Sequence, residues 1–179
     1  MKRKVSWITE TALMLALLVA LQYLTKGFGQ FVTGSCVNAV LAAAALLAGL
    51  GSGITVALVS PVLAYLLGIA PQILVVPAIM AGNTVFVVLL YALAVDRKPA
   101  VQIVGWLAAA VCKFAILYLI VAKVICGLLA QTLLTAGALK EPMLKALPAT
   151  FSWPQFITAL IGGGIALLIM PSIKKALKK

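Results

Sequence analysis

Histidine is missing from this chain, and acidic residues nearly so: Glu10, Asp96 and Glu141 are the only three. Zinc and di-iron centres need clusters of histidine, cysteine or carboxylate, so no metal site is expected. Glu10 and Asp96 fall at the ends of apolar runs and Glu141 in a connection. None is at mid-membrane depth, and no carboxylate pair is available for acid–base catalysis or a proton relay. A phosphate-binding Gly-Lys-Ser/Thr loop is absent too, which excludes ATP hydrolysis by the chain itself. These gaps argue against an enzyme and against a bound cofactor. The three cysteines, Cys36, Cys112 and Cys126, are odd in number and have no metal-like spacing, so they are expected to pack as small apolar residues.

Charge is scarce as well. Only 9% of the residues are charged and 65% are hydrophobic, against about 25% charged and 45–50% apolar in a soluble domain. The apolar runs have the length of membrane spans, about 20 residues each. An all-α integral membrane protein follows. The net charge of +11 would suggest nucleic acid in a soluble protein, but here the positions of the charges explain it. With six spans and both termini inside (N-in/C-in), nine basic residues fall on the inner side: Lys2, Arg3, Lys4, Arg97, Lys98, Lys174, Lys175, Lys178 and Lys179. Lys26, Lys140 and Lys145 fall outside. That is the positive-inside bias, and attraction to anionic lipid accounts for the basicity without nucleic acid. The run from Trp7 to Thr25 is too long for a signal-peptide core and has no small-x-small cleavage site before Lys26-Gly27, so it is expected to stay as a helix.

Read along the chain, the spans fall at about 7–25, 36–48, 54–67, 72–95, 100–129 and 154–173, all in one transmembrane domain, 1–179. Lys26 to Ser35 reads as an outer loop. Gly49, Gly51 and Gly53 read as a tight inner turn, which leaves the second helix short. Ser60-Pro61 is expected to bend the third helix, and Gly68 to Pro71 to close it. Asp96-Arg97-Lys98-Pro99 is a charged inner turn. The fifth helix is long enough to tilt or protrude. Gln131 to Trp153 is the one long connection. Long loops in compact proteins tend to be lids or binding loops, which puts function on the outer face.

Several polar residues interrupt these runs. Lys113 falls near the middle of the fifth helix, at a depth that costs about 2.5–3.5 kcal/mol on insertion scales. Snorkelling to the surface would need a reach of about 15 Å, so a cavity or ligand is the better explanation. Lys123, nearer the end, can snorkel. Asn83 lies within the fourth helix, and Gln72, eleven residues earlier, would sit about 20° away on the same face. One reading makes Asn83 a structural hydrogen bond between helices. The other gathers Asn83, Gln72 and Lys113 into an outward-open pocket, closed by Gln30, Thr33 and Asn38 from one side and Trp153 and Gln155 from the other. Lys113, with no acid nearby, then points to an anionic or carbonyl-bearing ligand. Small residues recur every four positions as Ala12, Ala16 and Ala20 on the first helix, and as Gly53, Ala57, Pro61, Ala64 and Gly68 on the third. Such stripes let helices approach closely, most simply inside the protein.

An N-terminal helix with Ala12-x-x-x-Ala16-x-x-x-Ala20, in a small basic-ended protein of six helices, resembles the substrate-binding S components of energy-coupling factor (ECF) vitamin transporters. The resemblance extends over the whole chain in size, helix count, orientation, short inner turns and long outer loops. It implies that Ala12, Ala16 and Ala20 dock on a transmembrane scaffold (T) subunit driven by two cytoplasmic ATPases. It also implies that a vitamin-like small molecule binds under the outer loops, among helices four to six, in a multi-pass protein of the bacterial cell membrane that topples to release its cargo. Two alternatives remain open. A membrane scaffold of the MreD type would have six helices and no ligand pocket. A stand-alone transporter or channel would need an intramembrane acid or an internal repeat, and neither is found.

Overall fold

The structure, a computed structural model, describes residues 2–70 and 72–176. Pro71, Lys178 and Lys179 lie outside the described residues, as do the side chains of Lys2, Arg3 and Lys4. The described chain is all helical, in the order α1 (Lys2–Thr25), α2 (Gln30–Ala43), α3 (Leu50–Leu66), α4 (Val76–Ala94), α5 (Pro99–Leu117), α6 (Ala130–Thr135), α7 (Met143–Thr150) and α8 (Trp153–Ala176). Five segments are long and apolar enough to cross a bilayer: Ser6–Phe28, Gln30–Ala48, Ile73–Ala94, Pro99–Leu128 and Met143–Ala176. The protein is an all-α, multi-pass membrane protein. The apolar helix α3, with 17 residues, is shorter than these.

The chain breaks at different places from those expected. Gly29 (φ 82°, ψ 174°) ends the first connection, so α2 begins at Gln30 rather than Cys36. Thr33 stabilises that early start: its N–H donates to Gly29 O at 3.1 Å and its hydroxyl to Thr25 O at 2.8 Å. At its far end α2 continues through a π-helical turn, Ala44–Ala48, and is not a short helix. Gly49 (φ 94°) alone makes the next turn. Gly51 and Gly53 lie inside α3, which runs unbroken through Pro61.

α4 is preceded by a 3₁₀ turn, Ile73–Val75, and Gln72 before it is extended (φ −154°). The reason is local. Pro77 sits in the first turn of α4, where its missing N–H leaves no bond unmade, so the helix starts there. Pro99 plays the same part for α5. Beyond Leu117, α5 widens into a π-helical stretch, Tyr118–Leu128, marked by Leu129 N–H donating to Val124 O at 2.8 Å. The long connection is itself partly helical, holding α6 and α7.

α2 lies against α8, and α4 against α5. Both contacts rest on glycine, as close packing in lipid requires. A methyl group at Gly162 of α8 would collide with Ser35 O and the Ala39 nitrogen, and one at Gly82 of α4 would come within 2.8 Å of Leu117. The apolar interior forms two clusters. One takes Leu18, Leu41, Val56, Phe86, Leu90 and Ala110, and the other Val75, Ala78, Leu117, Val121, Leu147 and Phe151. Between them, Asn83 interrupts α4 and Lys113 interrupts α5.

Candidate functional site

Lys113 is 2% exposed, and Asn38 and Asn83 are 1% exposed. The Lys113 Nζ donates to Asn38 Oδ1 at 2.5 Å and to Asn83 Oδ1 at 2.7 Å. An ammonium only donates, so both amides must offer it their oxygens. Asn38 thereby turns its Nδ2 towards Thr158 and donates to the hydroxyl at 3.2 Å; that hydroxyl donates to Gln155 O at 3.2 Å. One lysine thus ties together α2, α4, α5 and α8. The bonds are charge-assisted, the stronger kind, yet no carboxylate among the described residues is a partner of Lys113. Its side-chain partners are amide oxygens, which carry no countercharge.

A partly open cavity of about 120 Å³ adjoins this cluster. Gln30 and Thr33 reach it from the first turn of α2, Gln155 from the first turn of α8, and Phe151 from the α7–α8 corner. Ser60, Pro61 and Ala64 of α3 make a wall. Asn38 lies eight residues beyond Gln30, about 12 Å deeper at 1.5 Å per residue. The cavity therefore runs from the Lys26–Phe28 end of the bundle down to Lys113.

Of the eight residues anticipated as binding residues, Gln30, Thr33, Asn38, Asn83, Lys113 and Gln155 line this one space. Gln72 and Trp153 do not. Gln72 is off the helix on which its shared face with Asn83 depended, and its Nε2 faces Met143 Sδ at 3.2 Å. Trp153 is 64% exposed and stacks on Phe114, with ring centroids 5.4 Å apart, at the outside of α5. The cavity also differs in location from the space among helices four to six, because α2 and α3 build much of it, and Gln30 and Thr33 belong to a helix rather than a loop.

Sequence reasoning missed Gln22, Ser60 and Thr158. Gln22, from α1, lines the cavity, and its Oε1 is buried with no hydrogen-bond partner among the described residues. A glutamine inside an apolar run was the signal available for it. Thr158 carried no such signal, since its role arises only from Asn38, 120 residues away. Lys123 is exposed, with Nζ 5.5 Å from the Tyr118 ring, and does not reach the cavity.

On the other side of the molecule, Ala12, Ala16 and Ala20 are all exposed along α1, beside exposed Ile8, Leu13, Leu17 and Leu24. In an 18-residue apolar stretch of each span, only 11% is buried in α1, against 50% in α2. On α3, by contrast, Gly53, Ala57, Pro61 and Ala64 are buried, and Gly68 lies past the helix end. The half-buried cysteines are free thiols, and no metal-binding group of side chains occurs among the described residues.

Neither the curated proteins nor the solved structures contain a significant match to the sequence. The family described as "ECF transporter, substrate-specific component" does match, over residues 8–173. That span takes in nearly all of the five segments long and apolar enough to cross a bilayer, the cavity residues and the α1 alanines, and the chain belongs to the substrate-specific components of ECF transporters.

Proposed function

We propose that this protein captures a vitamin or related micronutrient at the outer face of a bacterial cytoplasmic membrane. It then hands the molecule to a transmembrane scaffold subunit powered by two cytoplasmic ATPases. The observation that carries the reading is the Lys113–Asn38–Asn83 cluster at the floor of a cavity. A lysine so far from an aqueous surface is costly, and a small polar ligand supplies a reason to keep it. A scaffold without a ligand pocket gives no use to a cavity with a polar floor.

In this reading the chain is one transmembrane domain, with α1, α2, α3, α4, α5 and α8 crossing the bilayer and both termini inside. α3 is the short member: 17 residues span about 26 Å at 1.5 Å per residue, a few ångströms less than the hydrocarbon core of about 30 Å. Local thinning and packing on its neighbours accommodate a mismatch of that size. The cavity mouth, beside Lys26–Phe28, then faces outwards. Gln30, Thr33, Asn38, Asn83, Lys113 and Gln155 hold the ligand, and Ala12, Ala16 and Ala20 form the surface presented to the scaffold. The chain has no ATP chemistry of its own, so the toppling movement that exposes the cargo to the cytoplasm is driven by the partners.

Mass spectrometry of small molecules that co-purify with the protein in mild detergent tests the binding role. One compound recovered in near-stoichiometric amount, and lost on unfolding, is the expected result. Protein that is folded but empty, and whose melting temperature no nutrient raises, would contradict it. Orientation is tested separately with single cysteines at Lys26 and Lys98 in a background lacking the native three. An impermeant thiol reagent should label Lys26→Cys in intact cells and Lys98→Cys only after lysis.

A further inference from the structure

The polar cluster leaves donors with no acceptor to meet them. An ammonium has three N–H groups. Among the described residues, those of Lys113 meet Asn38 Oδ1, Asn83 Oδ1 and, beyond these, only the ring of Phe86 at 5.5 Å. Asn83 has committed its oxygen to the lysine, and its Nδ2 donates to no acceptor among the described residues. Both side chains line the cavity. Its floor is therefore one positive charge with an unpaired amide N–H₂ beside it. Amide oxygens lower the cost of burying the ammonium but do not cancel its charge, and an anion placed against it does both.

The remaining lining narrows the choice of anion. Gln22, Gln30, Thr33, Ser60 and Gln155 are neutral, and no second cation among the described residues lines the cavity. A phosphate monoester, at about −1.5 to −2 charge, would be left half neutralised, whereas a singly charged group is matched. Size sets a further limit. A cavity of about 150 Å³ encloses a benzene-sized molecule, so about 120 Å³ encloses a group of that order, with any larger part standing in the open mouth.

We propose, on the basis of the substrate-binding reading above, that the site is specific for a compact monocarboxylate, with its acid group seated on Lys113 Nζ and Asn83 Nδ2. The neutral body of the molecule then lies between Gln30 and Thr33 on one side and Ser60, Pro61 and Ala64 on the other.

The test uses the full chain in mild detergent and a low-molecular-weight bacterial extract divided on an anion-exchange resin. Three probes are compared by thermal melt: the retained fraction, the same fraction after its carboxylates are converted to amides with carbodiimide and ammonia, and the flow-through. The retained fraction should raise the melting temperature of the wild type by several degrees, and amidation should remove the rise. Lys113→Met and Asn83→Leu should both lose the response. Stabilisation that survives amidation, or that comes from the flow-through and persists in Lys113→Met, overturns the carboxylate assignment and leaves a substrate-binding subunit for another class of molecule. No stabilisation by any fraction overturns the binding reading and this inference with it. If neither variant folds, the three wild-type melts still decide.

Discussion

Two helices carry the same sequence sign and meet opposite fates. The stripe of Ala12, Ala16 and Ala20 on α1 and the stripe of Gly53, Ala57, Pro61 and Ala64 on α3 both place small residues four apart. On α3 the stripe is buried: Ala45 and Val87 leave no room for a side chain at Gly53, and Pro61 and Ala64 wall the cavity. On α1 the stripe is bare, and the helix touches the rest of the bundle along its other face, through Thr11 and Leu18. Small residues thus state only that a close approach is possible; the fold decides whether the neighbour is inside the chain or outside it. A bilayer makes exposed apolar side chains unremarkable, but a face of small residues packs no better against lipid than a face of leucines. A flat, exposed stripe is where another helix gains most from van der Waals contact.

The contrast breaks first on α3. A Cβ at Gly53 would lie 2.7 Å from Val87 Cγ1 and 3.1 Å from the Ala45 Cα, the second of which is backbone and cannot swing away. Gly53→Leu should cost well over the 1–3 kcal/mol typical of overpacking, and the purified protein should melt many degrees lower or fail to fold. On α1 the same kind of enlargement should act elsewhere. Ala16→Trp is expected to leave the melting temperature and ligand binding of the isolated subunit unchanged while assembly with the scaffold and cellular uptake are lost. Co-purification of the scaffold and a transport assay read this directly. Normal uptake by Ala16→Trp would remove α1 as the docking face, and lost ligand binding would make its stripe internal packing after all.

A smaller effect sharpens the same inside–outside distinction among aromatic residues. Phe151 is 5% exposed and lines the cavity, while Trp153, two residues on, faces out. Phe151→Ala should weaken ligand binding several-fold and lower stability through the cavity it leaves. Trp153→Ala should change affinity by less than about twofold, since it removes only an exposed stacking contact worth about 0.5–1.5 kcal/mol.

How much of this was legible depended on whether the signal was local. Hydropathy alone gave six apolar runs in order; in the structure five segments are long enough to cross a bilayer, and α3 is a shorter apolar helix. Lys113 and Asn83 stood out because each breaks an apolar run at mid-depth, where a polar side chain needs a reason. Asn38 was expected at the rim of the same pocket, but its hydrogen bond with Lys113 was not legible. It joins residues 75 positions apart and exists only once α2 packs beside α8 and α4 beside α5. Glycine misled in both directions. Gly53 looked like a breaker but sits inside α3, where Ala45 and Val87 come close. Gly29 and Gly49, read as parts of longer turns, each make the break through a positive φ. Gln72 failed because its helical register was assumed through Pro77, whose place in the first turn of α4 fixes the start of the helix after it. Exposure of the α1 alanines was likewise beyond a pattern that reads the same for a buried helix.

In the substrate-binding reading, Lys113 is kept in the membrane by a ligand and not by the stability of the fold. Calorimetric titration of the wild type and of Lys113→Met with the compound identified by co-purification, beside a melt of each ligand-free protein, tests it most directly. Losing a hydrogen bond to a buried ligand costs about 1–3 kcal/mol, and more with charge. At about 1.4 kcal/mol per decade, binding should be at least about tenfold weaker in Lys113→Met, over and above any fall in melting temperature from the donor that Asn38 Oδ1 and Asn83 Oδ1 lose. An unchanged dissociation constant together with a lower melting temperature would contradict it and make Lys113 a strut between α2, α4 and α5.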